Sequence, residues 1–335
     1  MSQATQYTKT QYGPQASGYA TEATSYNELA RVQNINIEGE QSDIYDRGLG
    51  EGMNASNTYY GPYKAKGDVS FDVVNFDFLK HWIGPKTGAG TVGDPYILTE
   101  AEDVSLTPGL QPFSIEKTND EESTKSVQFA VGCVGTTFEL SAGMGDANKL
   151  SFKGNFTARH DGRRASSETY VTVTDPAYII LGGNFKWGAI PTAISGVQEF
   201  TLNYDNGLIY DDDTRDIESR FQTIPHLGKG RKYSGRIGIK MSSALATTIV
   251  NNYYGYESSG TYTPEDGSNS ISPTENLEFK IELVNASKYA TIWLDECSID
   301  RLSEPVQLGG GLVLLYFEFT ARKGKDNAPI KWWSV

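Results

Sequence analysis

The chain has 335 residues and a mass of 36.7 kDa, room for about two domains. Hydrophobic residues make up 38% against 21% charged, with 35 glycines, 20 tyrosines and 14 phenylalanines, a composition that favours strands joined by turns and excludes an all-helical bundle. Lys and Arg number 29 against 42 Asp and Glu, a net charge of −13, so the positive field that holds phosphates is missing and tight nucleic-acid binding is disfavoured.

The first residues, MSQATQYTKTQYGPQ, have neither the basic nor the apolar segment of a secretory signal. The most apolar run, Leu312 to Phe317, is too short to cross a bilayer, and no membrane partner is expected. Residues 1–31 are rich in Gln, Thr and Ser, carry Tyr7, Tyr12, Tyr19 and Tyr26, and show no apolar period able to bury a face. They read as an arm, either a disordered tail or a segment ordered against a neighbouring subunit, where tyrosines supply contact area at small entropic cost.

From residue 32 onward the sequence repeats. Val32-Gln33 recurs as Val197-Gln198 and Ile44-Tyr45-Asp46 as Ile209-Tyr210-Asp211, both 165 residues on. Phe113-x-Ile115-Glu116 recurs as Phe279-x-Ile281-Glu282, Cys133 as Cys297, and Phe156-Thr-Ala-Arg159 as Phe319-Thr-Ala-Arg322, at 166, 164 and 163. These matches keep their order and nearly one register. Charge agrees, since residues 32–160 hold 18 acids and 10 bases, and residues 197–322 hold 18 and 11. The expectation is two copies of one mainly β fold in tandem, at 32–160 and 197–335, each with one short helix.

Within the first unit, strands are expected at Val32 to Ile37, Val69 to Val73, Phe113 to Glu116, Val127 to Cys133, Thr136 to Leu140 and Leu150 to Ala158. A helix is expected from Asn75 to Ile83, closed by Gly84 and Pro85. In Leu150 to Ala158, apolar and polar residues alternate, the mark of a half-buried strand. Residues 161–196, with Arg163-Arg164 and a strand near Tyr178 to Leu181, read as a structured connection, too apolar for a free tether. The second unit offers strands at 198–202, 236–239, 277–284, 289–297 and 311–321, and a helix at about Ser242 to Tyr254. Leu312 to Phe317 is apolar on both faces and should be covered on both sides.

No catalytic, cofactor or metal site emerges. Gly88-x-Gly90-x-x-Gly93 spells a dinucleotide fingerprint, but Asp94-Pro95 follows where a helix would have to open. Asp211-Asp212-Asp213 lacks the glycine and distal Glu of a calcium loop and reads as an acidic surface. His81, His160 and His226 are scattered, and Cys133 and Cys297 fall at equivalent strand positions of separate units, as two buried thiols would. No nucleophile elbow or marked pair of carboxylates points to an enzyme.

The order of features resembles the tail tube proteins, or major tail proteins, of long-tailed noncontractile phages and related archaeal viruses. The resemblance is carried by Glu38-Gly-Glu40, Gly67-Asp-Val-Ser-Phe71, the helix Phe76 to Ile83 and the strand–turn–strand ending Leu150 to Arg159, over 32–160 and again over 197–322. It implies sandwiches whose inner strands join, six to a ring, into a barrel around a channel. A doubled chain would then form homotrimeric, pseudo-hexameric rings stacked into a tube in the virion tail, assembled in the host cytoplasm. Its partners would be itself, other tail proteins at the tube ends, and viral DNA that passes without tight binding.

Independently of the family, strands with open edges must cover them or pair them with a neighbour. In the tube reading the net negative charge suits a wall that repels DNA; the alternative is that the acids simply keep a large assembly soluble. Asp72 and Glu318 are the candidate lumen acids. Candidate ring-to-ring contacts are Tyr7, Tyr12, Tyr19, Tyr26, Trp332 and Trp333, with the loops 84–95 and 257–273. The alternative is a two-domain β-sandwich module for glycan binding or adhesion, with Trp187, Trp332 or Trp333 stacking on sugar rings.

Overall fold

The structure, a computed structural model, describes residues 8–15, 18–46, 57–105, 109–119, 127–143, 149–188, 192–209, 221, 225–228, 230–240, 277–303 and 314–335. The first half contains β1 (Thr8–Pro14), β2 (Tyr26–Glu28), β3 (Val32–Asp46), β4 (Asn57–Asp72), β5 (Lys86–Thr87), β6 (Tyr96–Leu98), β7 (Phe113–Asn119), β8 (Val127–Gly143), β9 (Ser151–Ala158) and β10 (His160–Arg164). Then follow β11 (Tyr170–Val171), β12 (Ile179–Gly188), β13 (Thr192–Ile194), β14 (Val197–Asp205), β15 (Leu208–Ile209), β16 (His226–Leu227), β17 (Lys232–Lys240), β18 (Leu277–Asn285), β19 (Lys288–Ser303), β20 (Leu314–Gly324) and β21 (Ile330–Ser334). The chain is mainly β. The alternation read in the sequence is an alternation of burial: in β9, Phe152, Gly154, Phe156 and Ala158 are buried while Lys153 and Asn155 are exposed.

The long strand β8 serves both layers of the first sandwich. Its first part pairs with β7 and β10, its second with β9 and β14. Two bulges turn it from one layer to the other, which is why the stretches expected as separate strands at 127–133 and 136–140 form one. The register slips between Phe113–Cys133 and Ile115–Ala130, beside Gly132 at φ 69°. It slips again at Thr136, the extra residue between Gly135 and Thr137.

The second half repeats these irregularities. On β19 the register slips between Leu277–Cys297 and Phe279–Leu294, beside Glu296 at φ 53°, and again at Asp300. Gly132, Cys133 and Thr136 thus correspond to Glu296, Cys297 and Asp300, all 164 residues apart. A third slip, between Val32 and Asn34 of β3, recurs between Val197 and Glu199 of β14, and a left-handed residue precedes each, Arg31 (φ 58°) or Gly196 (φ 82°). Gly67 lies against Phe156 as Gly235 lies against Phe319; a Cβ there would stand 2.3 or 2.6 Å from the ring. The pairings β1·β2, β1·β7, β7·β8, β8·β10, β8·β9, β4·β9 and β3·β4 have counterparts in β12·β13, β12·β18, β18·β19, β19·β21, β19·β20, β17·β20 and β14·β17. The match of Phe113-x-Ile115 to Phe279-x-Ile281 is therefore two residues out of register, since Ile115 has the ladder position of Phe279. A slip of two keeps every side chain on its face, so periodicity is blind to it.

The halves meet at β8 and β14, where Glu199–Asp205 run antiparallel to Thr137–Gly143. Buried Asn206 fastens this joint: its side-chain amide donates to the Gly135 carbonyl at 2.5 Å and its backbone N–H to that of Thr136 at 3.2 Å. One sheet consequently runs β3-β4-β9-β8-β14-β17-β20-β19. Its apolar face packs on two further layers, β2-β1-β7-β8-β10 in the first half and β13-β12-β18-β19-β21-β6-β5 in the second.

Several expectations are changed by this arrangement. The segment read as an arm supplies β1 and β2, which lie inside the first half's second layer. The segment read as a connection is divided: β10 pairs with β8, β11 with β2, and β12 and β13 belong to the second half. Arg164 reaches Glu116, a carboxylate with no exposed surface that also accepts from the Gln11 side chain and from the Glu168 N–H. This network ties β1, β7 and β10 together. The helix expected at Asn75 to Ile83 is a single 3-10 turn, Asp77–His81, stopped at Gly84 (φ 147°); the one expected at Ser242 to Tyr254 lies outside the described residues. In β20, Leu315, Phe317 and Phe319 are buried whereas Leu314, Tyr316 and Glu318 are half-exposed, so among the described residues only one face is covered.

That 3-10 turn sets two aromatic rings into the core. Trp82 lies over Gly135 and Gly154, and its indole N–H donates to the carbonyls of Thr137 (3.1 Å) and Asn155 (3.0 Å) beside the β8 bulge. His81, with no exposed surface, sits among Tyr12, Phe78 and Phe113, its Nδ1 2.7 Å from the Gln111 carbonyl. Burial first, then neighbouring Lys80, holds its imidazole well below the ordinary value of 6.5, against the backbone bond. Unfolding therefore takes up a proton at acidic pH, and stability contributed by neutral His81, full above 6.5, is lost as pH falls from 6.5 toward the depressed folded value. We expect urea-unfolding free energies of the unassembled chain to drop below pH 6.5. His81→Phe should remove about 1.4 kcal/mol per pH unit of that slope, and an unchanged slope would exclude His81 as its source.

Candidate functional site

The large polar surface is the face of the eight-stranded sheet that no other layer covers among the described residues. Every second residue of each strand points there: Asn36, Glu38 and Glu40 on β3, Lys64, Lys66 and Asp68 on β4, Lys153 and Asn155 on β9, Thr137 and Glu139 on β8. The face continues through Asn203 and Asp205 on β14, Lys232, Ser234 and Arg236 on β17, and Tyr316, Glu318 and Thr320 on β20. Charges of opposite sign stand opposite one another: Glu38 faces Lys66, Lys153 faces Glu139, Asp205 faces Lys232, and Glu318 faces both Arg236 and Arg301. Such pairs contribute a few tenths of a kcal/mol each to the sheet and leave no long run of one sign. Asp68 stands instead between Asn36 and Asn155.

Both acids singled out from the sequence occur on this face. Asp72 is nearly buried at the end of β4, accepting from Gln33 at 2.7 Å and lying 3.3 Å from the Lys149 ammonium. Glu318 is half-exposed. The aromatic candidates lie elsewhere. Tyr12, Tyr19, Tyr26 and Trp332 are buried in the chain's own core, Trp333 is half-buried and stacked on Tyr289, and Tyr7 lies outside the described residues. Trp187 is also buried, which removes two of the three indoles considered for sugar stacking.

The loop 84–95 is closed on itself. The N–H groups of Ala89, Gly90 and Thr91 all turn to the Asp94 carbonyl, so the amides that a dinucleotide phosphate would need are already engaged. Val92 is exposed at its tip, and the loop touches the last strand where Ser334 N–H donates to the Gly90 carbonyl. The loop 257–273 and Asp211 to Asp213 lie outside the described residues. Among the described residues no three His, Cys, Asp or Glu side chains come together as a metal site. Cys133 and Cys297 are free and buried. No described helix is long and apolar enough to cross a membrane.

The informative geometry is at the sheet's two ends. On one side it ends in β3 and on the other in the last part of β19, and among the described residues no further strand pairs with either edge. These are the counterparts of β14 and of the second part of β8, the two edges that pair inside the chain. Sequence reasoning missed Asn206, Glu40 and Arg301, which lie at these edges, because nothing in strand periodicity distinguishes an edge strand from a central one. A family model described as phage tail tube protein matches residues 7–321. Comparison with curated proteins gives no match.

Proposed function

The chain belongs to the phage tail tube protein family, and on that premise we propose that three copies close into a ring by repeating, between chains, the β8·β14 joint seen within one. It is a structural protein of the virion tail that assembles into a tube with its own copies and with other tail proteins. The ring reading is ours. It is supported by one observation, that the two open edges of the sheet are the counterparts of two edges already paired at a known register. Carried over, that register sets Glu40 opposite Arg301, Gly39 opposite Leu302 and Glu38 opposite Ser303 of the next chain. The facing pair Glu40 and Arg301 is complementary in charge.

In this reading the chain is a doubled tail-tube unit, divided at 8–164 and 179–334 by its recurring pairings, and three chains supply six quasi-equivalent units. The polar face of the shared sheet lines the channel. Its basic residues are neutralised by cross-strand acids and cannot gather phosphates, so DNA passes without tight binding. The negative character expected from the net charge rests on acids outside those pairs, such as Asp68, since Asp72 is nearly buried and paired with Lys149. Contacts between stacked rings are proposed at the exposed tip of the loop 84–95 and at Trp333.

Electron microscopy of the purified chain tests this. We expect rings or hollow filaments of uniform width, with six nearly equal lobes in end-on averages. Discrete particles that bind immobilised glycans would favour the adhesion module, and separate inner and outer layers of density would exclude six equivalent seats.

A further inference from the structure

A strand edge left open in a chain that must wait for its partner invites premature pairing, and folded proteins blunt such edges with polar groups turned inward beneath them. Two are present below β3. The Lys117 ammonium lies 3.4 Å from the Ile35 carbonyl, and the Gln128 side-chain amide donates to the Ile37 carbonyl at 2.9 Å. Lys117 and Gln128 are cross-strand neighbours on β7 and β8. Lys117 lies on the same side of β7 as the buried Phe113 and Ile115. Lys117 is itself half-buried, and its bond to the Ile35 carbonyl sets its ammonium at the edge.

The second half shows what these positions hold when the edge is permanently covered. Their counterparts, 164 residues on, are Ile281 and Ile292, again cross-strand neighbours, and both are buried. The counterpart of β3 there is β14, which β8 covers along its length. The halves thus differ in the way their edges differ: a charged and an amide side chain where the edge is open, two isoleucines where it is closed. The carbonyls held by Lys117 and Gln128 belong to Ile35 and Ile37, whose counterparts Phe200 and Leu202 stand opposite Ala142 and Leu140 in the internal joint. An arriving strand would pair at those residues.

Resting on the ring reading above, we infer that Lys117 and Gln128 form a clasp that occupies the β3 edge of the lone chain and yields only to the end of β19 from a second copy. The occupant is set by continuity with the β8·β14 joint and by the charge match of Glu40 with Arg301. The clasp makes joining conditional: the new strand must replace two hydrogen bonds already in place. It raises the concentration at which free chains begin to pair, while leaving a growing end, which presents many contacts at once, able to displace it.

The test is Lys117→Ile/Gln128→Ile in the full chain, which installs the second half's residues. Assembly is followed by light scattering and sedimentation over a concentration series, and folding by thermal denaturation of the unassembled protein. We expect the double variant to assemble at a concentration lower by on the order of tenfold, for two hydrogen bonds of ordinary strength, with a shorter lag. Gln128→Leu alone should fall between it and the parent, and decides the matter if the double variant does not fold. Parent tubes that form at the same threshold as those of the folded variants would overturn the clasp and leave the ring standing. A folded parent chain that yields neither rings nor tubes at any concentration would overturn both.

Discussion

Oxidising tubes built from a Glu40→Cys/Arg301→Cys chain should give, on a non-reducing gel, a covalent species of three chains and none larger. The expectation follows from register. In the internal joint Asp205 and Thr137 are directly opposed, and Glu40 and Arg301 are their counterparts. Because Ile35 and Ile37 turn their carbonyls toward the open edge, Gly39 does the same. Glu40 then belongs to the intervening pairs that exchange no backbone bonds, where opposed Cα atoms approach to about 4.5 Å. That spacing lies within reach of a disulfide. The native thiols do not compete: Cys133 and Cys297 are buried, and burial pushes both well above the ordinary thiol value. The closed ring proposed above limits the product, since three joints exhaust three chains. Well-formed tubes that release only single chains would place the joint elsewhere, and a covalent hexamer would show that each chain takes one seat in six.

Replacing Trp82 with alanine should lower the unfolding free energy of the unassembled chain by about 3–5 kcal/mol. Three losses coincide at this site. The indole fills the space above Gly135 and Gly154, contacts Phe78, Phe113 and Phe152, and donates to two bulge carbonyls that would otherwise be left without it. The cavity accounts for the larger part and the lost indole hydrogen bonds for the rest, the Asn155 carbonyl keeping its bond from the Thr136 hydroxyl. Trp82→Phe refills much of the volume without restoring the donor, so its effect should be intermediate. The second consequence concerns assembly: the same bulge carries Gly135 and Thr136, to which Asn206 is anchored across the halves. The alanine variant should therefore assemble poorly even where it remains folded. An alanine effect below about 1 kcal/mol in chemical denaturation would show that Trp82 is a filler and not a fastening.

How much of this was legible in the sequence can be judged from particular residues. Leu150 to Ala158 declared its buried and exposed faces because a strand repeats every two residues, and β9 obeys that pattern residue by residue. Asp72 and Glu318 were singled out only as acids on expected strands, and which way they face was settled by the ladders of β4 with β9 and of β20 with β17. The tyrosines of residues 1–31 misled because Tyr12 is flanked by Gln11 and Gly13, which show no apolar period. It nonetheless packs edge-on to Phe78, carried there by the ladder of β1 on β7. Trp332 misled in the same way, since the pairing of β21 with β6 and β19 brings it under cover.

Local composition and alternation by themselves determined a strand-rich chain, the faces of its strands, and a pattern recurring after about 165 residues, because these properties depend on neighbours one or two positions apart. The family was readable from the order of such segments. Only the tertiary structure decided which strands are central and which are edges, that β8 turns between layers at Gly132 and Thr136, that β6 pairs with the last strand, and that one sheet spans both halves. The joint of β8 with β14 and the pairing of β21 with β6 depend on hydrogen-bond partners more than fifty residues distant. A register shift of two residues leaves every local pattern intact while changing every partner.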